Sequence, residues 1–543
     1  MSSDRPTASL FADIVKASRA RSTVKIADST GAALSGPDLL LRTLVARQFL
    51  RRAVLAPDER FVGVFLPPTV GAVVANLALT FDRRIPVNLN YTLSTELLDA
   101  CIAKAGIRHV LTSRRFLDRI GAKLSAEPVF LEDLAGSVSR VDKLRGALES
   151  KLPAPILLRM LSLDRVDDDE LLTIVFTSGT TGTPKGVMLS FANVEANLEQ
   201  IDHVVHWTPN DVVVGVLPFF HSFGSTVMLW AMVTRDIRAV YHTNPLEAQV
   251  VGRLIREHGG TILPATPMFL RTYLRRCEPA DFATLELAPV GAEKLPPALG
   301  EEFARTFDVE VFEGYGATEM APLVSANVPK SRATGRPGEW SRAGTIGRPV
   351  PGVRTRVVDP ETWQDLPPGE PGMLLLTGPN LMKGYLHDPD ATAMAIRDGW
   401  YVTGDLAVVD GDGFIHLKDR LSRFAKIAGE MVPHGTIEEA LLEILGTDDN
   451  SMPRAAVTSI PDETRGERIV VVHTPLDVPP DALRERLSAA GLPNLFLPSR
   501  DSFVEVAALP IVGVGKLDLR GLKQIALDAF AQRPAAVAPG GRR

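Results

Sequence analysis

The chain has only two cysteines, Cys101 and Cys277, far apart and in no metal-ligand spacing. That excludes a disulfide framework, speaks against a structural zinc site and fits a reducing compartment. A basic surplus is also missing. The 59 Lys and Arg against 65 Asp and Glu leave a net charge of −6, which offers nothing to a nucleic-acid partner. Long apolar runs are absent. The best candidate for a membrane span, Val70 to Phe81, is too short for a bilayer and is interrupted by Asn76 and Thr80. The opening residues Met1 to Pro6 carry an early acid and lead into no apolar core. No secretory signal is therefore expected, and the reading places the protein in the cytoplasm.

What is present is ordinary for a soluble globular protein: 45% hydrophobic and 23% charged residues over 543 positions, long enough for several compact units without staples. Arg60 to Leu66 reads as a buried strand, Val70 to Leu79 as a helix, Ile85 to Asn90 as a strand, Ser94 to Ala105 as a helix and His109 to Ser113 as a strand. Such alternation implies a parallel sheet covered by helices. The pattern resumes with strands at Leu171 to Phe176 and Val212 to Leu217. Lys151 to Arg165 (KLPAPILLRMLSLDR) has apolar positions between cations. It reads either as a connector packed on the core or as a surface helix making a weak peripheral membrane contact. Asp410 to Gly413 (DGDG) is a hairpin signal, with Phe414 to Leu417 returning. Smaller αβ units follow Asp419-Arg420-Leu421-Ser422, which sets a domain boundary there.

Chemistry is concentrated first in Thr177-Ser178-Gly179-Thr180-Thr181-Gly182-Thr183-Pro184-Lys185-Gly186, directly after a hydrophobic strand. Small hydroxyl residues and glycines leave N–H and O–H groups free to wrap phosphate oxygens, and Lys185 adds a point charge. The order Pro-Lys-Gly is not that of a Walker loop. The run resembles the phosphate-loop signature of the adenylate-forming superfamily: acyl-CoA synthetases, peptide-synthetase adenylation domains and firefly-type luciferases. Further motifs follow in that family's order: LPFFHSFG (217–224), GAEKL (291–295), EGYGATE (313–319), GWYVTGD (399–405), DRLSRFAKIAG (419–429) and GVGK (513–516).

The resemblance implies an α/β fold, with a large N-terminal domain of αβ sheet subdomains (1–419) that binds AMP and the acyl group. A small mobile α+β domain (420–530) and a disordered tail (531–543) would follow. It implies ATP and Mg²⁺ as cofactors and assigns roles to residues. Thr318 would hydrogen-bond the α-phosphate and Glu319 would hold Mg²⁺, in keeping with the ion's habit of taking one carboxylate plus substrate oxygens. Tyr315 would stack on adenine, with Gly291, Ala292 and Gly314 permitting close approach and Glu293 and Gly316 completing their motifs. Asp405, helped by Arg420, would accept from the ribose hydroxyls. Lys516 would bridge carboxylate and phosphate during adenylation. After rotation about a hinge at Ser422, where the family usually has Asp or Lys, the residues Lys426, Gly429 and Glu430 would face the thiol step. His221 would gate the acyl and thiol tunnel; without the resemblance it reads as a packed core histidine. The stretch Pro433 to Glu438 departs from the family's Pro-x-Glu-Ile-Glu.

GYGATEMAPLVSANVP (314–329) and RFAKIAGEMV (423–432) resemble the acyl-acyl-carrier-protein synthetase part of bifunctional 2-acylglycerophosphoethanolamine acyltransferases. No acyltransferase domain is expected ahead of them, and the expected product is a thioester whose transfer to phospholipid is left to another protein. The substrate implied is a long-chain fatty acid, with CoA or holo acyl carrier protein as acceptor. Ala265, Ala321, Ser325, Phe269 and Met320 would line its tunnel or simply belong to the core. The alternatives are a fatty-acyl-AMP ligase that does not use CoA, or a nucleotide- or acyl-binding regulator without catalysis.

Overall fold

The computed structural model describes residues 9–177, 184–333, 340–427, 430–448, 452–462, 464–512 and 516–531. The chain divides into two compact units: residues 1–403 with 408–417, and residues 404–407 with 418–543.

In the larger unit, the strands Ile85–Asn88, Phe61–Phe65, His109–Thr112 and Glu127–Phe130 lie side by side, every neighbouring pair parallel. The alternation read from sequence thus closes into a parallel sheet. Its helices begin where Thr69, Ser94 and Ser113 accept from backbone N–H groups in the first turn, which satisfies donors that a helix start leaves open. The apolar run Val70–Phe81 is one of these helices and lies in the core. Its two polar interruptions are internally paired: Asn76 and Asn88 exchange amide hydrogen bonds at 3.2 and 2.9 Å, and Thr80 Oγ1 donates to the Asn76 carbonyl at 2.9 Å. Among the described residues no helix is long and apolar enough to cross a membrane.

A second sheet joins Val24–Asp28, Arg238–Tyr241 and Val212–Gly215 in parallel. Single bridges through Ile262 carry it on to Leu287–Val290 and Glu310–Gly316. There the direction reverses, since Leu323–Ala326 runs antiparallel to Glu310–Gly316. The segment after residue 170 also departs from the expected strand–helix alternation. Leu171–Thr177 and Lys185–Ser190 form an antiparallel hairpin, with Gly384–Tyr385 added on its far edge.

In the smaller unit, alternation with period two appears on both faces of one sheet. Ala455, Val457, Ile469 and Val471 pack with Ile437, Leu441, Leu483 and Leu487 on one side. Their neighbours Ala456, Ile460, Val470 and Val472 pack with Leu522 and Ala526 on the other. A strand that is apolar on both faces needs a helix on each, and the chain supplies His434–Leu445, Pro480–Ala489 and Leu519–Ala531. The expected tail from residue 532 lies outside the described residues. Cys101 and Cys277 are both free and buried, and burial pushes each thiol up to about 12, far from the reactive range.

Candidate functional site

Thr177 and Lys185 are register partners in the hairpin Leu171–Thr177/Lys185–Ser190. The two residues that flank the Ser/Thr/Gly run are thus neighbours on adjacent antiparallel strands. Ser178, Gly179, Thr180, Thr181 and Gly182 lie outside the described residues. On the edge strand Tyr385 pairs with Val187, two positions from Lys185 and so on the same face. The Lys185 ammonium stands 4.9 Å from the Tyr385 ring centre, a cation–π separation.

Thr318 and Glu319 occupy a single 3₁₀ turn between Glu310–Gly316 and Leu323–Ala326. Gly316 is required at its entrance, because a Cβ there would lie 2.4 Å from the Pro322 carbonyl oxygen. That approach lets the Ala317 amide donate to the same oxygen at 3.0 Å. The turn rests on buried amides. Asn380 Nδ2 donates to the Met320 and Leu323 carbonyls at 2.6 and 3.0 Å, and Asn197 exchanges bonds with Leu323 at 2.9 and 3.1 Å. Thr226 Oγ1 donates to the Ala321 carbonyl at 2.7 Å, and the Met382 amide donates to the Glu319 carbonyl at 2.8 Å. Satisfied polar networks of this kind hold a loop to one geometry.

The functional side chains of the turn have partners of their own. The Thr318 and Ser222 hydroxyls lie 3.1 Å apart, and Ser222 is buried. The buried Glu319 carboxylate accepts from the Tyr385 hydroxyl at Oε1, 2.8 Å away, and is hydrogen-bonded by Tyr401 as well. Burial, and after it the Glu319 charge, push both phenols above their usual range, so they stay protonated and donate. Among the described residues no Lys or Arg pairs with Glu319, and no three His, Cys, Asp or Glu cluster as a metal cage. A buried carboxylate held by neutral phenols fits a hard divalent cation that takes its remaining oxygens from a substrate.

His221 follows the buried Phe219 and Phe220 but is itself exposed, so it is not a packed core histidine. Its ring lies 5.6 Å from that of Phe220, which meets Tyr91 edge-on at 4.8 Å. The turn is tight: a Cβ at Gly224 would fall 1.9 Å from the Pro218 carbonyl. A buried π-helical stretch, Gly224–Trp230, follows. Gly291 donates to the Ala265 carbonyl at 3.2 Å, and a Cβ on it would stand 3.2 Å from the Gly314 carbonyl. Ala292 takes a φ of 70°. Glu293 is half-buried and lies near enough to Arg271 to favour its charge against burial. Gly314 pairs with Ala326 and the half-buried Tyr315 with Ser325. The Ser325 hydroxyl is buried without a hydrogen-bond partner among the described residues. Ala265, Phe269, Met320, Ala321 and Ser325 are all fully enclosed.

In the smaller unit Asp405 is buried and forms an ion pair with Arg420 at 3.2 Å. Ser422 lies in the 3₁₀ turn Leu421–Arg423. The Lys426 side chain is exposed on Phe424–Ile427, and its amide donates to Glu467 Oε2 at 2.7 Å. Glu430 opens the next strand, Glu430–Pro433. Lys516 opens Lys516–Leu517, paired with Val512; Gly429 and Gly513 to Gly515 lie outside the described residues. The departure at Pro433 to Glu438 has a structural use: Gly435 donates to Asp419 Oδ2 at 3.0 Å, and Glu438 accepts from Arg423 and from the Val457 amide.

Within the larger unit the structure therefore joins Lys185, Thr318 and Glu319 through Ser222, Tyr385 and Tyr401. Ser222 and Tyr401 sit unremarked inside recognisable motifs. Tyr385, Asn380 and Asn197 carry no local signal, because their partners are remote in sequence.

The AMP-binding enzyme family matches residues 15–386. A long-chain-fatty-acid–CoA ligase of Yersinia pestis is 30% identical over 451 residues, covering 78% of this chain and 74% of that protein. One of Escherichia coli O6:H1 is 30% identical over 368 residues, covering 65% of this chain and 62% of its own length. The chain thus spans about three fifths of that relative. Among solved structures, ATP-bound MatB from Rhodopseudomonas palustris superposes with a TM-score of 0.79 at 24% identity, covering 96% of this chain and 100% of that one. The o-succinylbenzoate CoA synthetase MenE of Bacillus subtilis, solved with its acyl-adenylate intermediate, gives 0.78 at 21% identity, covering 96% and 98%. These likenesses show the adenylate-forming fold.

Proposed function

The chain belongs to the AMP-binding enzyme family, and from that premise we propose that it activates a long-chain fatty acid with ATP and passes the acyl group to a thiol. The observation that carries this reading is the Lys185–Tyr385–Glu319 array beside the Thr318–Ser222 hydroxyl pair. It sets a cation, a carboxylate without a basic partner among the described residues and a hydroxyl pair along one edge, as a polyphosphate requires.

A fatty carboxylate and the α-phosphate of ATP are both anions, so the reaction is driven by neutralisation and alignment. Lys185 and the loop from Thr177 hold the phosphates. Thr318, steadied by Ser222, donates to the α-phosphate. Tyr385 and Tyr401 hold the Glu319 carboxylate turned to receive Mg²⁺, which when bound would neutralise phosphate oxygens. Tyr315, with Gly291, Ala292, Glu293, Gly314 and Gly316 around it, takes the adenine, and Asp405, oriented by Arg420, takes the ribose. Lys516 serves the adenylation step. The mobile C-terminal domain, residues 420–530, then turns about Ser422 so that Lys426 serves the thiol step. His221, exposed at a tight turn, gates entry. CoA, as in the names of the relatives above, is the first acceptor to test and holo acyl carrier protein the second. Two free, buried thiols agree with a cytoplasmic setting.

The test is fatty-acid-dependent exchange of labelled pyrophosphate into ATP across chain lengths, followed by thioester assay with each acceptor. Exchange with long chains and product on one thiol are expected. No exchange with any carboxylic acid would put the non-catalytic binding reading in its place. Exchange without thioester on either acceptor would favour an acyl-AMP ligase.

A further inference from the structure

An ordinary surface helix turns its apolar stripe to the core and its charges to water. The helix Arg140–Lys151 does the reverse. Its inward face is Asp142, Gly146 and Glu149, all buried, and it packs against the helix Gly36–Ala53. Asp142 takes both Nε and a terminal nitrogen of Arg52 at 3.1 and 2.7 Å, and Glu149 accepts from Gln48 at 2.6 Å. Gly146 permits the close approach, since a Cβ there would meet the Val45 side chain at 2.5 Å. The outward face is Val141, Leu144 and Leu148, exposed by 65%, 63% and 61%, spaced three and four apart and so aligned on one stripe.

The next helix, Ala154–Met160, packs leucines inward but also leaves apolar side chains in water. Leu157 and Leu158 are buried, while Ile156 and Met160 are 54% and 49% exposed. Arg19 fixes the corner between the two helices by donating to the Ser150 and Leu152 carbonyls. The charges are one-sided. Arg140, Lys143, Arg145, Lys151 and Arg159 are exposed, and the only acids between 140 and 160 are the inward-facing Asp142 and Glu149. What solvent meets along these 21 positions is therefore mostly cation or hydrocarbon, with no carboxylate.

We infer that the Arg140–Met160 helical corner is a docking surface for an anionic lipid bilayer, with Val141, Leu144, Leu148, Ile156 and Met160 entering the interface and the five cations meeting lipid phosphates. Exposed leucines in a stripe cost stability in water and are relieved at a hydrocarbon boundary. Cations without acids match a negative leaflet. Residues 151–165 are consistent in sequence with either a core connector or a docking helix. Ala154–Met160 is both, and the helix before it, which held no such signal of its own, supplies the larger apolar face. The inference stands on this surface alone and is tested without ATP or fatty acid, so it does not share the fate of the ligase reading.

The experiment is co-sedimentation of the full chain with vesicles of phosphatidylcholine alone or mixed with phosphatidylglycerol, at low and high salt. Binding to the mixed vesicles is expected, weakening with salt. Lys143→Gln/Arg145→Gln should weaken it by about fivefold for each cation removed. Leu144→Glu/Leu148→Glu should abolish it with an unchanged melting temperature, because both side chains are already in water. Failure of the wild-type chain to bind mixed vesicles at low salt, or equal binding by the leucine variant, would overturn the inference. So would a concentration-dependent dimer, seen by analytical ultracentrifugation, that the leucine variant loses while vesicle binding is absent.

Discussion

The Tyr385 hydroxyl donates to Glu319 Oε1 across 2.8 Å, between residues 66 positions apart. Through the same ring, which carries the Lys185 ammonium on its face at 4.9 Å, the edge of the phosphate-loop hairpin is tied to the turn that bears the carboxylate. A hydrogen bond to a charged acceptor contributes about 1.5–3 kcal/mol. In Tyr385→Phe the Mg²⁺ concentration giving half-maximal pyrophosphate exchange should therefore rise about tenfold or more, with the half-saturating fatty acid concentration unchanged. A uniform loss of rate at an unaltered Mg²⁺ requirement would sink the assignment of Glu319 to the metal.

Lys516 and Lys426 are assigned to different half-reactions. Lys516→Ala should cost on the order of 10²-fold or more in acyl-adenylate formation and leave transfer from a supplied acyl-adenylate to the thiol nearly intact. Lys426→Ala should do the opposite. Equal loss of both steps in either variant, measured by exchange and by single-turnover thioester formation, would refute the division of labour.

Gly316→Ala places a methyl 2.4 Å from the Pro322 carbonyl, and relief requires the Thr318–Glu319 turn to move. A displacement of this size in a positioning element is expected to lower adenylation by about 10²-fold. Urea unfolding should change far less, because the three atoms nearest the methyl all belong to Pro322. Full activity in Gly316→Ala would show that the turn's geometry is not critical.

In the smaller unit His434 is buried, and burial lowers its pKa from 6.5 to about 3, with Arg423 and Lys523 acting in the same direction. Between those two pH values the unfolded chain binds a proton that the folded one refuses. Stability contributed at neutral pH is thus lost as pH falls below 6.5, by about 2 kcal/mol at pH 5. Hydrogen exchange of the helix His434–Leu445 at pH 7 and pH 5 should show this difference, and His434→Gln should remove most of it. An unchanged pH slope in that variant would mean that other groups govern the acid sensitivity.

The sequence by itself determined the elements whose signals are local. Alternating apolar runs gave the parallel sheet around Phe61–Phe65, since period and capping residues act within a dozen positions. The resemblance carried by the ordered motifs singled out Lys185, Thr318 and Glu319, which the fold brings near one another through Tyr385 and Ser222. Three things were decided only by the tertiary structure. Leu171–Thr177 and Lys185–Ser190 pair antiparallel, and Lys185–Ser190 finds a second partner in Gly384–Tyr385 that no local pattern names. Glu319 is held by Tyr385 and Tyr401, and the turn by Asn380 and Asn197, because a buried polar group takes whichever partner the fold brings within 3 Å. The helix Arg140–Lys151 turns its leucines outward because Arg52 and Gln48 of a neighbouring helix draw Asp142 and Glu149 inward. Which face of a helix is buried depends on what it packs against, and a sequence read alone does not contain that neighbour.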